Sequence, residues 1–112
     1  MEIVDHDALD RTEAVDGVHL SQGAAGDDTS VQEFFIEPGA EVPEHSHHHE
    51  QAGVITQGTL TFVIDGVEHL VHEGDSYNIP SDEPHAAYND GDVPVEGYDI
   101  FSPPRTNPDW QD

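Results

Sequence analysis

The stretch Gly39–Gly58, GAEVPEHSHHHEQAGVITQG, places His45, His47, His48 and His49 within five positions of an acidic chain and follows them with Gln51. On an extended strand, His45, His47 and His49 would face one side and Ser46 and His48 the other. Residues two apart lie about 7 Å from one another along a strand, so two imidazoles can converge on one metal ion with bonds of about 2.0 Å. Two ligands hold a metal poorly, and the remaining donors must come from elsewhere in the fold. Gln51 and His85 are the candidates, while the competing reading is a solvated loop of histidines with adventitious metal affinity. His49 suits a supporting or surface position better than a ligand position.

Outward from this stretch the rhythm is that of short strands. VHLS, SVQEFFIE, AGVIT, TLTFVI, VEHLV, SYNI, HAAYN and VEGYDIF are separated by Gly, Pro, Asp or Asn. Asp65-Gly66 between TLTFVI and VEHLV predicts a type I′ hairpin. Leu60, Phe62 and Ile64 share one face of its first arm, alternating with Thr59, Thr61 and Val63. Nowhere do apolar residues recur at helical spacing for three turns, and many short strands without helical crossovers point to an all-β barrel or sandwich. Residues 1–16 predict one or two helical turns or nothing regular, and the tail over 106–112 docks through Trp110 or frays.

With 112 residues the chain suits one domain. It contains no cysteine, so disulfides and thiolate ligands are excluded and any metal must be held by His, carboxylate or amide groups. The 25 Asp and Glu against 2 Arg and no Lys give a formal charge of -23, a surface that repels phosphate backbones and anionic membranes. No apolar run approaches the roughly 18 residues of a membrane span, and MEIVDHDALD lacks the regions of a signal peptide. A soluble, cytoplasmic protein that binds no nucleic acid is the expectation.

Counted from Gly39, five residues precede His45; one residue then precedes His47, three Gln51 and six Gly58. Fifteen residues further on, Gly74 is followed by Pro80, Asp82, His85 and Asn89 after gaps of five, one, two and three. The pattern resembles the two motifs of the cupin superfamily, G-x5-H-x-H-x3,4-E-x6-G and G-x5-P-x-G-x2-H-x3-N, with eight of ten fixed positions matched. Gln51 replaces Glu and Asp82 replaces Gly. The resemblance implies a single jelly-roll β-barrel, its core over about 30–102, with one divalent metal ion held by His45, His47, Gln51 and His85. All four ligands would be uncharged, leaving the ion its full charge and favouring an anionic partner. Zinc or nickel suffices, and manganese, iron or copper is also compatible with such ligands. By the same resemblance the chain pairs as a homodimer through edge strands.

Near the C-terminus, YDIFSPPR sets Asp99 and Phe101 on one strand face and Arg105 just after two prolines. Taken singly they read as an ordinary acid, a core aromatic and a surface cation. Arg105 stands out because a chain nearly purged of cations retains it, and its planar fork suits a carboxylate. HSHHHEQ together with D-x-F-x3-R is similar to the small cupins called pectin degradation proteins, although His48 stands where that family usually has Pro. That similarity implies metal-dependent opening of a 4,5-unsaturated monouronate, a small anionic substrate, in a catalytic pocket made by Asp99, Phe101 and Arg105. A metal-dependent dioxygenase and a non-catalytic anion sensor are the competing readings, because the fold alone carries unrelated functions.

An acidic chain of this kind reads as adapted to molar salt, where a Debye length of about 3 Å screens like-charge repulsion. The melting temperature is therefore expected to fall on transfer from molar salt to dilute buffer; an unchanged melt would contradict this reading.

Overall fold

The computed structural model describes residues 1–106, so the expected tail with Trp110 lies outside the described residues. A 3-10 turn, His6–Ala8, precedes ten strands: β1 (Thr12–Val15), β2 (Val18–Ala25), β3 (Ser30–Ile36), β4 (Glu41–His45), β5 (Glu50–Gln57), β6 (Leu60–Ile64), β7 (Val67–Val71), β8 (Ser76–Ile79), β9 (His85–Tyr88) and β10 (Val95–Ser102). They form a six-stranded sheet, β1-β2-β3-β10-β5-β8, and a four-stranded sheet, β4-β9-β6-β7. Every pairing is antiparallel, and the two sheets close on one core, as a jelly roll requires. Among the described residues no helix is long and apolar enough to cross a membrane.

The expected hairpin is present: Ile64 pairs with Val67 across Asp65 (φ 52°) and Gly66 (φ 75°), the two positive values that a type I′ turn demands. The motif glycines serve the same kind of geometry, since Gly39, Gly58 and Gly74 have φ of 82°, 81° and 88°. Asp82, standing in for the family's glycine, adopts φ 66°. Asp and Asn are among the few side chains that enter this region readily, which makes the replacement tolerable. The last motif position, Asn89, is 2% exposed. Its amide donates to the carbonyls of Ile36 and Val93 (3.0 and 2.9 Å) and accepts from the Gly91 amide (2.9 Å), so it closes a turn.

β1 falls where no strand was expected. It is held by pairing with β2, and the N-terminal segment before it is tied down electrostatically. Glu33 on β3 accepts from Arg11 (3.3 Å) and lies 2.8 Å from His6 Nε2, while the Arg11 guanidinium sits 4.7 Å from the centre of the Phe35 ring. The core gathers Val18, Phe34, Ile36, Ile55, Leu60, Phe62, Ile79, Ala87 and Val95 from both sheets.

Ile55 is fully buried at the centre of this cluster. Truncation in Ile55→Ala removes three methyl-sized groups from a packed interior and is expected to cost about 2–5 kcal/mol. Denaturant unfolding in molar salt should show a lower midpoint with an unchanged slope.

Candidate metal centre and acid pocket

His45 ends β4, and its partner in the ladder with β9 is His85, so register alone brings these two rings together, centroids 4.3 Å apart. His47 arrives differently. The strand stops at His45, and Ser46–His49 form a loop before β5, so the side-to-side alternation expected for His45, His47 and His49 does not apply. The loop is braced by the β8–β9 connection. Ser81 Oγ donates to the His48 carbonyl (2.6 Å), and the Asp82 amide donates to the His47 carbonyl (2.8 Å). His48 is exposed; His49 packs its ring 5.6 Å from His47 and 5.9 Å from Phe101.

The candidate ligand atoms of His45, His47 and His85 lie within 4.8 Å of one another. Each Nδ1 is bonded to a main-chain carbonyl: His45 to Pro43 (2.9 Å), His47 to His49 (3.0 Å) and His85 to Glu83 (2.9 Å). A carbonyl can only accept, so each Nδ1 carries the proton and each Nε2 keeps a lone pair for a ligand. Burial pushes the His85 pKa down to about 4 and lowers that of His47, with the backbone bonds opposing the shift. Near neutral pH His47 and His85 are therefore uncharged, the state in which imidazole binds a metal.

Gln51 is the candidate for a fourth ligand. It is 6% exposed, and its amide favours the charged form of the Asp99 carboxyl. The carboxylate accepts, so the amide NH2 is turned toward Asp99 and Oε1 toward the histidines, 3.1 Å from His47 Nε2. Two lone-pair atoms facing each other at this distance suit a cation between them, since bonds of about 2.1 Å at right angles place neighbouring ligands about 3 Å apart. The four neutral donors thus fit a divalent ion.

Below the histidines lies a cavity of 380 Å³, lined by His45, Gln51, His85, Asp99, Phe101 and Arg105 with an apolar wall beneath. That volume falls in the range of small-molecule sites. Phe101 is 1% exposed and T-stacked against His47 (5.6 Å). The Arg105 guanidinium lies 5.2 Å from the Phe101 ring centre, and its main-chain amide donates to Ser30 Oγ (2.8 Å). Asp99 is buried, and desolvation raises its pKa to about 6 against the opposing effects of Tyr77, Gln51 and Arg105.

Tyr77 was not singled out by the sequence. It lies on β8, two strands from Asp99, with Gly53 of β5 between them in register. A Cβ at Gly53 would fall 2.2 Å from the Tyr77 ring and 2.6 Å from Asp99 Oδ1, so the missing side chain is the passage through which the phenol reaches the acid. The Tyr77 hydroxyl donates to Asp99 Oδ1 at 2.5 Å. Only the cross-strand register reveals this trio.

An antiparallel double-sheet barrel with three histidines converging beside a small-molecule cavity defines a jelly roll with a candidate metal site. Residues 32–101, more than half of the chain, match the family model described as Cupin domain, and the protein belongs to the cupin family. It is 32% identical over 79 residues to mannose-1-phosphate guanylyltransferase of Escherichia coli (strain K12), covering 70% of this chain and 16% of that protein. Against H2HPP isomerase of Bacillus subtilis it is 33% identical over 69 residues, covering 62% of this chain and 29% of the isomerase. The chain thus spans less than a third of either curated relative. Among solved structures, KdgF from Halomonas sp. superposes with a TM-score of 0.83 at 23% identity over 96% of both chains. An RmlC-like cupin from Shewanella frigidimarina gives 0.85 at 21%, over 96% of this chain and 95% of the other. Such identities establish a shared fold.

Removing the phenol hydroxyl in Tyr77→Phe takes away a bond that favours ionised Asp99, so its titration midpoint should rise above about 6. Carboxyl-carbon NMR on metal-free protein reads this directly; an unmoved midpoint would mean the hydroxyl does not hold the acid.

Proposed function

We propose that this cupin opens 4,5-unsaturated monouronates to the linear 5-keto-4-deoxyuronate in a metal-dependent isomerisation. The observation that carries the reading is the meeting of two separate sequence patterns in one cavity, with Gln51 touching both His47 and Asp99. Ions of the kind that His45, His47, Gln51 and His85 suit would act as a Lewis acid, stabilising negative charge that develops on an oxygen of the substrate.

The chain's own residues divide the remaining work. Arg105 binds the substrate carboxylate, its guanidinium held beside Phe101 by the anchoring of its main chain to Ser30. Phe101 walls the cavity and limits water around the reacting ring. Asp99 takes the proton of the anomeric hydroxyl. The bond between the anomeric carbon and the ring oxygen then breaks, leaving an aldehyde at one end and an enolate at the carbon bearing the carboxylate. Asp99 returns the proton to the adjacent alkene carbon, giving the ketone. The proton count balances, and no oxidant or reductant is required. An acid with its pKa near 6 is suited to both halves of such a transfer. Tyr77 and Gln51 orient that acid by donating to it.

The test is turnover of an unsaturated monouronate by metal-loaded protein in molar salt, followed as loss of the conjugated enol absorbance. Asp99→Asn should lower kcat by about 10²–10⁴-fold, the usual contribution of a general base. Arg105→Ala should chiefly raise KM. Wild-type rates in both variants would remove the assignment, and oxygen uptake with an iron-loaded protein would favour a dioxygenase instead.

A further inference from the structure

Three polar residues that line the cavity, Gln32, Asp99 and Tyr77, lie in one row across the six-stranded sheet. In register from β2 to β8 it reads Gln22, Gln32, Asp99, Gly53 and Tyr77. Tyr77 and Asp99 are joined across Gly53, as described above. On the other side of Asp99 stands Gln32, 5% exposed and lining the cavity among Leu20, Phe34 and Ile36. Its Oε1 is buried without a hydrogen-bond partner.

The contrast with Asn89 is informative. That amide is buried to a similar degree, but its donors and acceptor are used by three main-chain groups, which is what a structural amide does. Gln32 serves no comparable turn or cap, and an unpaired buried amide destabilises the fold that carries it. A purely structural position among apolar neighbours would be filled better by leucine or methionine. Gln32 lines a cavity of small-molecule size, so the partner open to its amide is a group on a ligand.

The chemistry of that group follows from its surroundings. An amide both donates and accepts, as a hydroxyl does, whereas the neighbouring Asp99 disfavours a second anion at this end of the cavity. Arg105, anchored on Ser30 two residues along the same strand, provides the place for the acid group. We propose that Gln32 is a specificity residue that hydrogen-bonds a ring hydroxyl of a cyclic acid, so that the cavity selects hydroxylated over deoxygenated rings. The proposal rests on the uronate reading for the identity of the acid, and its test separates the two.

The probes are galacturonate, which is saturated, and tetrahydropyran-2-carboxylate, which keeps the ring and acid but has no hydroxyls. Calorimetric titration of metal-loaded wild-type protein should show the hydroxylated acid bound about tenfold more tightly, the worth of one good hydrogen bond. Gln32→Leu should narrow this gap, with the contact of Asp99 to the anomeric hydroxyl remaining. Its melting temperature without ligand should equal or exceed that of the wild type, an outcome that a structural amide would not give. Gln32→Met repeats the comparison should the leucine variant fail to fold. An undiminished preference in the variants, no preference in the wild type, or loss of folding in both variants would overturn the proposal. A Gln32-dependent preference without turnover of unsaturated uronate would leave it standing and remove the uronate reading. Turnover with unchanged kinetics in Gln32→Leu would do the reverse.

Discussion

Gln51 sets one amide between groups with opposite demands, and the arrangement of the cavity depends on how it meets them. Its NH2 end meets the Asp99 carboxylate and its oxygen meets the lone-pair side of His47. A glutamate in this place, as the general cupin pattern has, would set a second carboxylate against a buried one. Two like charges in a poorly solvated site cannot both ionise without a large penalty, so one of them would hold a proton across the neutral range. The glutamine avoids the conflict. It leaves Asp99 the only buried acid among the described residues lining the cavity, and it keeps the four proposed metal donors uncharged. What looked in the sequence like a departure from a motif is, in the folded chain, a requirement set by a residue 48 positions away.

Much of the fold could be read from local chemistry. Asp65-Gly66 announced its hairpin because the two positive φ values it needs are a property of those two residues. The strand runs from Val18 onward appear largely where alternation placed them, and the ligand spacing around His45 and His85 carried the barrel by resemblance. β1 was not legible, because Thr12–Val15 has no strong pattern of its own and becomes a strand by pairing with β2. Nor was the path of His47, which depends on Ser81 and Asp82 reaching over from another loop. The Tyr77–Gly53–Asp99 passage and the isolation of Gln32 are properties of register across several strands, and no window along the chain contains them.

The scarcity of cations sharpens the roles of the two that remain. Surface carboxylates in molar salt are screened over about 3 Å, and their mutual repulsion contributes little there. Arg11 is spent on Glu33, a carboxylate whose side chain is only 7% exposed and which therefore cannot rely on salt for compensation. His6 joins the same acid, so the N-terminal segment is fastened where screening is weakest. Arg105 takes the corresponding position at the cavity, close to Phe101 and within electrostatic reach of Asp99. Both arginines thus lie beside groups that burial has separated from the solvent ions.

The same burial acts on the two kinds of titratable group with opposite sign, and both outcomes suit the proposed chemistry. Desolvation penalises whichever form is charged. It lowers His85 to about 4, leaving a neutral base whose lone pair is available to a metal throughout the neutral range. It raises Asp99 to about 6, toward the region in which a carboxyl group exchanges protons readily. Had the cavity been open to water, His47 and His85 would spend more time protonated and the acid would be a weaker base. Closure of the barrel around Phe101, Ile79 and Phe62 therefore does more than stabilise the fold, because the apolar wall sets the charge state of the polar row built into it.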